Sequence, residues 1–544
     1  MNHTAEPVLS IAGLHIDLPA GADRASAVTD LNFTIKRGEV VCLVGESGSG
    51  KSLTAMATMG LLPGYLRRGV RGSIRLAGRD VLGMTPRQLR EVAGREMAMI
   101  FQEPMTALHP VVNVGTQIEE VLKIHRPDVP AFKRRKLVVD ALAAVQLPTP
   151  EQIVRSFPHE LSGGQRQRVM IAMALILDPM LLIADEPTTA LDVTTQAEIL
   201  RLIKDLQTRR GTGVLFITHD IGIVRDIADH VIVLRQGEVV EQGPANEVLS
   251  APRHDYTRTL INAIPEVGSV RPPERELGPE LVRITNLRKT FTRRTGLFRT
   301  EQFDAVGGID LTLRRGEVLS VVGESGSGKS TLARCLAGLA TATGGDVRVA
   351  GETLQAGEAA LRRHGRKVQM VFQDPNRSLN PRRRVGESII EGPLNFGGSR
   401  ADALRRAGEL MELVGLSADA LERFPYQFSG GQRQRICIAR ALAMEPQVLI
   451  ADEAVSALDA TVQQQVIQLL GDIRERFALS ILFITHDLRV AAQISDTIVV
   501  MQRGQIAEAG TVEAVLASPK SAYTRKLLAA VPGQARTIQE RQLP

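Results

Sequence analysis

Two segments of the chain have the residue types and spacing of a phosphate-binding loop. Both read GESGSGKS, at residues 45–52 and 323–330, and match the pattern G-x-x-x-x-G-K-[ST]. In such a loop the glycines let successive backbone N–H groups surround phosphate oxygens, the lysine reaches the β- and γ-phosphates, and the final serine is a ligand for Mg²⁺. The predicted phosphate-binding residues are Gly45, Glu46, Ser47, Gly48, Ser49, Gly50, Lys51 and Ser52, and Gly323, Glu324, Ser325, Gly326, Ser327, Gly328, Lys329 and Ser330. A chance glycine turn is the alternative, and the second identical octamer argues against it.

Paired carboxylates end two apolar segments, MLLIADEP at residues 180–187 and VLIADEA at residues 448–454. An aspartate at the end of such a strand holds Mg²⁺ through water in phosphate-loop ATPases, and this is the role predicted for Asp185 and Asp452. The following carboxylates, Glu186 and Glu453, are then placed to polarise an attacking water. The alternative is a strand that simply ends in a solvated acidic pair, and the second copy of the motif argues against it.

The chain is a tandem repeat of whole domains. Besides the phosphate loops, LSGGQRQR at residues 161–168 recurs as FSGGQRQR at 428–435, and FITHD at 216–220 recurs at 483–487. Solenoid repeats have periods of about 20–50 residues, so copies this far apart indicate two complete domains. The segment 265–280 between them is rich in Pro, Gly and charge, which is typical of a linker. The predicted domains are residues 1–264 and 281–544.

The elements that position these motifs alternate between strand and helix. The apolar runs VVCLV and VLSVV before the phosphate loops suit buried parallel strands, and helical segments follow each loop. Between the phosphate loop and the SGGQ block, apolar residues recur at helical spacing in both halves. These positions are Leu137, Ala141, Ala144 and Val145, and Leu404, Ala407, Met411 and Val414. The pattern predicts an α/β fold with an additional helical part in each half.

A phosphate loop, SGGQ, an apolar strand ending in Asp-Glu and a later T-H-D together resemble the ABC ATPase family, and the resemblance covers nearly the whole chain twice. It implies two tandem phosphate-loop ABC ATPase domains, each with a RecA-like core, an antiparallel β subdomain and a helical subdomain. It also implies ATP and Mg²⁺ as cofactors.

The resemblance assigns further site residues. The SGGQ signature would open a helix that contacts the γ-phosphate on the opposite domain's loop, so that Lys51 works with the second signature and Lys329 with the first. The signature residues are Ser162, Gly163, Gly164 and Gln165, and Ser429, Gly430, Gly431 and Gln432. Gln102 and Gln373 match the family's glutamine loop, which senses Mg²⁺ and the γ-phosphate. His219 and His486 match its catalytic switch histidine, although a single histidine is more often structural.

Two positions depart from the family pattern. The family stacks adenine on an aromatic residue in the first strands, where Phe291 fits in the second half, but Leu18 stands there in the first half. The first site is therefore predicted to hold its nucleotide less tightly. In the second half Ala454 and Val455 replace the usual Pro-Thr after Glu453, and activity is expected to survive this change.

A third repeated pair follows each ATPase core: HDYTRTLINAIPE at residues 254–266 and SAYTRKLLAAVPG at 521–533. It resembles the C-terminal extension of ATP-binding subunits from bacterial dipeptide, oligopeptide and nickel importers, here with two such subunits fused. The resemblance implies an ATP-hydrolysing subunit that energises peptide import from the cytoplasmic face of the bacterial inner membrane, as a peripheral protein. Its partners would be two transmembrane permease subunits and, through them, a periplasmic substrate-binding protein. An amphipathic helix packed on its own domain is an alternative interpretation of the extension.

Composition excludes several other classes. The excess of 66 basic over 60 acidic residues is small and selects no partner, and nucleic acid is not expected. The three cysteines are far apart and none follows Cys437, so no iron–sulfur cluster is expected. Neither a secretory signal nor an apolar run of the roughly 18 residues needed to span a membrane is evident.

A soluble tandem ABC protein acting on ribosomes or DNA is the rival interpretation. The short Pro-rich linker and the lack of cysteine-based zinc modules argue against it.

Overall fold

A computed structural model describes residues 7–22, 24–102, 107–189, 191–263, 276–294, 300–456 and 458–533. The chain divides after residue 264 into two compact units, built mainly from the first and second sequence repeats. Most of the predicted linker, residues 265–275, lies outside the described residues, as do residues 103–106 after the first glutamine loop. Glu280, the last residue of the predicted linker, is the first residue of a strand.

The first unit contains two sheets. Its strands are β1 Leu9–Asp17, β2 Ser26–Ile35, β3 Val40–Val44, β4 Val70–Leu76, β5 Arg79–Asp80, β6 Met97–Ile100, β7 Leu181–Asp185, β8 Gly213–Thr218, β9 His230–Arg235 and β10 Glu238–Pro244. The order β2-β1-β4-β5 forms an antiparallel sheet. The order β10-β9-β3-β8-β7-β6 forms a six-stranded sheet that is parallel except for β10.

The second unit repeats this topology. Its strands are β11 Glu280–Arg294, β12 Thr300–Arg314, β13 Val318–Val322, β14 Gly344–Val349, β15 Glu352–Thr353, β16 Val368–Val371, β17 Val448–Asp452, β18 Ser480–Thr485, β19 Thr497–Gln502 and β20 Gln505–Thr511. The antiparallel sheet has the order β12-β11-β14-β15, and the six-stranded sheet has the order β16-β17-β18-β13-β19-β20. Its first hairpin is longer than that of the first unit, because β11 and β12 continue pairing to Arg294 and Thr300.

Helices cover the sheets and form a separate helical part in each unit. In the first half they are Lys51–Thr58, Gly64–Arg67, Pro86–Val92, Val114–His125, Ala131–Ala144, Pro150–Ile153, Gly163–Leu175, Val193–Arg210, Ile221–Ile227, Ala245–Ser250 and Asp255–Asn262, with a 3₁₀ turn at Pro158–Glu160. In the second half they are Lys329–Leu336, Glu358–Lys367, Pro375–Ser378, Val385–Asn395, Arg400–Leu413, Gly430–Leu442, Ala460–Phe477, Leu488–Ile494, Val512–Ala517 and Ala522–Ala529, with 3₁₀ turns at Ala418–Glu422 and Pro425–Gln427.

The strands beneath the phosphate loops are buried along their whole length. Every residue of β3, β7 and β8, and of their counterparts β13, β17 and β18, is buried. Strands in the middle of a parallel sheet have both faces covered, and therefore read as continuous apolar runs, as the sequence predicted.

The buried face of the first helical part agrees only in part with the predicted one: Val145 is buried and Ala141 packs against the core, but Ala144 is exposed. In helix Ala131–Ala144 the buried residues are Val138 and Leu142, whereas Leu137 is exposed. The run Leu137-Val138-Val139 places apolar residues on adjacent faces, so spacing alone did not identify the buried one. In the second half Ala407 and Met411 are buried as predicted.

Within the part of the chain that the structure describes, no helix has the length and apolar character needed to cross a membrane.

Candidate functional site

The predicted site residues of each unit meet at one edge of the six-stranded sheet. In the first unit the phosphate loop follows β3, Asp185 ends β7, and His219 comes directly after β8. These strands are neighbours and parallel, so their carboxyl ends lie at the same edge. Gln102 follows β6, the next strand along. The second unit repeats this arrangement.

The phosphate-loop lysine of each unit is buried inside its own loop. Lys51 Nζ donates hydrogen bonds to the carbonyl oxygens of Gly45 and Glu46, both at 2.8 Å. Lys329 Nζ donates to Gly323 and Glu324 at 2.7 and 2.8 Å. Burial lowers the pKa of Lys329. A buried ammonium surrounded by loop carbonyls supplies a fixed positive charge to the cradle.

Glycine is required at specific points of this loop. Gly45 and Gly50 have φ values of 150° and 101°, and a Cβ atom on either would overlap a backbone carbonyl oxygen, that of Leu234 or Ala27. Gly48, at φ 79°, faces open space. The backbone at Gly45 and Gly50 is therefore packed against neighbouring carbonyl groups, whereas the loop is open at Gly48, just before helix Lys51–Thr58. This shape and the N-terminal helix potential fit a polyphosphate.

A serine and an aspartate of each unit are hydrogen-bonded to each other beside the loop. Ser52 Oγ donates to Asp185 Oδ1 at 3.1 Å, and Ser330 Oγ donates to Asp452 Oδ1 at 2.9 Å. Burial raises the pKa of Asp185 to about 6 and also raises that of Asp452. Mg²⁺ prefers one or two such oxygen ligands together with substrate phosphates, so these residues fit the ion.

Glu186 is the centre of a hydrogen-bond network. Its Oε1 lies 3.2 Å from His219 Nδ1, and its Oε2 accepts bonds from Gln102 Nε2 at 3.0 Å and Thr189 Oγ1 at 2.9 Å. Burial alone would raise the pKa of Glu186, but the hydrogen bonds from His219 and Thr189 and the charges of His219 and Lys51 together lower it to about 2. Burial would lower the pKa of His219, but its hydrogen bond with Glu186 and the charges of Glu186 and Asp220 together raise it. The carboxylate is held ionised and oriented.

The second unit builds a similar network, with a longer histidine contact and without the hydroxyl bond to the carboxylate. Glu453 Oε2 accepts a bond from Gln373 Nε2 at 2.8 Å, but His486 Nδ1 lies 3.7 Å away. Ser456, at the position of Thr189, donates to the backbone carbonyl of Glu453 at 3.0 Å and not to its carboxylate. His486 still lowers the pKa of Glu453 against the opposing effect of burial.

Both glutamates have a left-handed backbone, with φ of 46° at Glu186 and 49° at Glu453. Each is fixed there by its N–H, which donates to the carbonyl of Ile217 or Ile484 at 2.9 Å. A non-glycine residue in this conformation costs about 1–2 kcal/mol and is enriched at functional sites.

The SGGQ blocks open helices, as the resemblance implied. Ser162 is the N-cap of helix Gly163–Leu175, where its hydroxyl accepts a bond from the N–H of Gln165 and the Gln165 side chain accepts one from the N–H of Ser162. Ser429 and Gln432 form the same capping box on helix Gly430–Leu442. Both serines are exposed. The helix N-termini therefore present positive potential at an accessible surface.

The strand pairings test the alignment of Leu18 with Phe291. Equivalent cross-strand pairs are Leu9–Ile35 and Val282–Leu313, and Ile11–Phe33 and Ile284–Leu311. Continued along the strands, this register makes Leu18 equivalent to Phe291 and Ala25 equivalent to Phe303. Phe291 is 45% exposed and stacks on Phe303, with ring centroids 6.4 Å apart. The aromatic pair of the second unit has no counterpart at these positions of the first.

Two sets of contacts were missed by the sequence analysis. Thr189 was not recognised as a partner of Glu186. The tyrosines of the C-terminal extensions, Tyr256 and Tyr523, were not placed at the phosphate loops, yet their hydroxyls accept bonds from the N–H groups of Glu46 and Glu324, both at 3.1 Å. The signal for the second set was present in the repeated Y-T-R.

The described residues contain no group of three or more His, Cys, Asp or Glu side chains able to hold a metal ion by themselves. Cys42, Cys335 and Cys437 are buried.

Comparison with protein families gives two matches. The ABC transporter family matches residues 28–189 and 306–456. The C-terminal region of oligopeptide/dipeptide transporters matches residues 240–294, which includes the first extension. The expected fold class, two tandem ABC ATPase domains, is confirmed.

Curated relatives align over almost the whole chain. The glutathione import ATP-binding proteins GsiA of Shigella dysenteriae serotype 1 and of Escherichia coli K12 are both 46% identical to it, over 96% of this chain and 89% of theirs. Among solved structures, the dimeric post-hydrolysis state of the ATP-binding cassette MJ0796 bound to ADP and Pi is 30% identical and matches 43% of this chain and 99% of its own, with a TM-score of 0.39.

Proposed function

The chain belongs to the ABC transporter ATP-binding proteins, with an extension of the oligopeptide/dipeptide transporter type, and we propose that it hydrolyses ATP to drive the import of a small peptide. The observation that carries the proposal is the double occurrence of one catalytic arrangement. In each unit a buried lysine, a serine–aspartate pair and a glutamate bonded by glutamine lie at one sheet edge.

Each residue of the site has its own role in phosphoryl transfer. Lys51 and the loop N–H groups bind the phosphates, and Glu186 orients and polarises the attacking water. Because His219 and Gln102 contact both carboxylate oxygens, the carboxylate of Glu186 is held in one orientation for this role. Mg²⁺ held by Ser52 and Asp185 would neutralise the charge of the β- and γ-phosphates. Lys329, Ser330, Asp452, Glu453 and His486 would act in the same roles in the second unit.

The signature serines would complete the sites. We propose that Ser429 to Gln432 act on the nucleotide bound by Lys51, and Ser162 to Gln165 on that bound by Lys329. A double-mutant cycle in the full chain tests the assignment, since residues serving one site are non-additive and residues serving separate sites are nearly additive. Lys51→Ala combined with Ser429→Ala should lose no more ATPase activity than the worse single variant. Lys51→Ala with Ser162→Ala should lose more, and the reverse pattern would refute the pairing.

The names of the relatives suggest which cargo and which partner proteins to propose. Proteins 46% identical are named for glutathione import, so glutathione is the first peptide to test. An ATP-binding subunit of this family would work with two membrane-spanning permease subunits at the cytoplasmic face of the inner membrane, and with a periplasmic binding protein that delivers the peptide.

The decisive experiment combines recovery of partners with uptake. The affinity-tagged chain, extracted from membranes of its source cells in mild detergent, should bring down two hydrophobic permease subunits. Cells lacking the chain should lose uptake of labelled glutathione or a labelled dipeptide, and regain it with the unmodified chain but not with Glu186→Gln, Glu453→Gln. Recovery of ribosomes or DNA in place of permeases would refute the import proposal.

A further inference from the structure

The tyrosine of each C-terminal extension reaches back to the phosphate loop of its own unit. Tyr256 lies on helix Asp255–Asn262, far along the chain from the loop, and its hydroxyl accepts a bond from Glu46 N at 3.1 Å. Tyr523, on helix Ala522–Ala529, accepts the same bond from Glu324 N, also at 3.1 Å. Both tyrosines are buried, at 7% and 8% exposure. The contact is built twice with the same atoms.

The loop residue that contacts the tyrosine also contacts the phosphate-loop lysine. Glu46 donates its N–H to Tyr256, and its carbonyl oxygen accepts a bond from Lys51 Nζ at 2.8 Å. Glu324 links Tyr523 to Lys329 in the same way. Movement of Glu46 or Glu324 would therefore also move a carbonyl oxygen that accepts a hydrogen bond from the phosphate-loop lysine.

The extension is itself anchored next to the core sheet. Glu241 on β10 accepts bonds from the N–H groups of Arg253 and His254, at 2.8 and 3.1 Å, just before the helix of Tyr256. Glu508 on β20 accepts equivalent bonds, at 2.8 and 3.1 Å, before the helix of Tyr523. In the first unit Arg235 also lies over the Tyr256 ring, 5.0 Å from its centroid. The segment before each tyrosine helix is thus fixed to the core sheet, and in the first unit the ring of Tyr256 also contacts Arg235.

We propose that Tyr256 and Tyr523 are positioning residues for ATP binding, which hold Glu46 and Glu324 so that the phosphate loop keeps its nucleotide-binding shape. The inference rests on the proposed function, because it presupposes ATP in these loops. The extension would then have a role in nucleotide binding. A helix that only packs on its domain would not need a hydroxyl group next to the phosphate loop.

Removing only the hydroxyl tests the proposal. The chain has four tyrosines, and the other two, Tyr65 and Tyr426, are 70% and 69% exposed, which makes their Phe variants matched controls. Tyr256→Phe with Tyr523→Phe should raise the KM for MgATP roughly fivefold to thirtyfold with kcat unchanged, the fold-change for a buried donor left without its acceptor at about 1–2 kcal/mol. Tyr65→Phe with Tyr426→Phe should change neither constant.

Thermal unfolding of the nucleotide-free chain separates positioning from packing. The proposal expects a raised KM, together with at most a small fall in melting temperature from the two lost hydrogen bonds. A lower melting temperature with an unchanged KM would overturn it, because the tyrosines would then only stabilise the helix. Unchanged values of both would also overturn it. If the unmodified chain failed to bind ATP, the proposed function would fail, which is a distinguishable result.

If the buried variants do not fold, ¹⁹F NMR of the full chain labelled with 3-fluorotyrosine provides a second test. The Tyr65→Phe and Tyr426→Phe variants assign the exposed resonances, and the remaining two belong to Tyr256 and Tyr523. MgATP should shift both of these and leave that of Tyr65 in place. Buried resonances that do not respond to saturating MgATP would refute the proposal.

Discussion

The difference between Leu18 and Phe291 predicts unequal ATP affinity at the two sites. Phe291 presents an exposed aromatic ring backed by Phe303, whereas the equivalent positions of the first unit hold Leu18 and Ala25. The decisive change is Phe291→Leu, which gives the second site the residue of the first.

The magnitude follows from base stacking. A base on a protein aromatic ring gains about 1–3 kcal/mol. Leucine keeps part of the apolar contact, so we expect a loss of roughly 1–2 kcal/mol, which corresponds to about fivefold to thirtyfold weaker binding. The reverse change, Leu18→Tyr, should tighten the first site by less, because Ala25 offers no ring to support the new one and Leu18 is already partly buried against the core of its unit.

Calorimetric titration with MgATP measures each site separately when the other is disabled by Lys51→Ala or Lys329→Ala. Phe396→Leu is the control, since Phe396 is a similarly exposed aromatic residue on another part of the second unit. Equal affinities of the two isolated sites in the unmodified protein would refute the reasoning. An equal effect of Phe291→Leu and Phe396→Leu would also refute it.

Three further predictions concern the reacting end of the nucleotide. Glu186→Gln with Glu453→Gln should slow hydrolysis by about 10²- to 10⁴-fold, the usual contribution of a positioned general base, while filter binding of ATP stays near normal. Thr189→Ala should reduce single-turnover hydrolysis at the first site by about tenfold, because a bond to a charged carboxylate is worth roughly 1.5–3 kcal/mol and part of it orients Glu186. Ser456→Ala should have little effect on the second site, since its hydroxyl bonds a backbone carbonyl, and equal losses would contradict this. Chelation of Mg²⁺ with EDTA should abolish phosphate release and added Mg²⁺ should restore it, whereas persistent release in EDTA would contradict the role of Ser52 and Asp185.

The strands, loops and helices around the reacting groups could be predicted because the residues of each segment specify its local structure. A run such as VVCLV is apolar at every position because β3 is covered on both faces, and the glycines that follow are demanded by close backbone packing. Strand, loop and helix are therefore specified within about 20 consecutive residues. The same holds for the signature, whose Ser162 and Gln165 cap their own helix.

What was not predictable depends on tertiary packing. The face of helix Ala131–Ala144 was ambiguous because three apolar residues are adjacent, and only contact with the core selects Val138. The repeated Y-T-R marks Tyr256 as a position of interest, but its partner Glu46 is 210 positions away and could not be identified from the sequence. The left-handed backbone of Glu186 likewise depends on its bond to Ile217 of the neighbouring strand.

The two units differ in two kinds of contact, one expected to affect nucleotide binding and the other the orientation of the glutamate. The phosphate-loop lysines, Lys51 and Lys329, have nearly identical bonds, which fits the same proposed role in both units. The first unit lacks the aromatic pair but has the closer histidine, with 3.2 Å between His219 and Glu186. The second has the aromatic pair but a distance of 3.7 Å between His486 and Glu453. We therefore expect the first site to bind ATP more weakly and orient its glutamate more firmly, and the second to retain ATP longer.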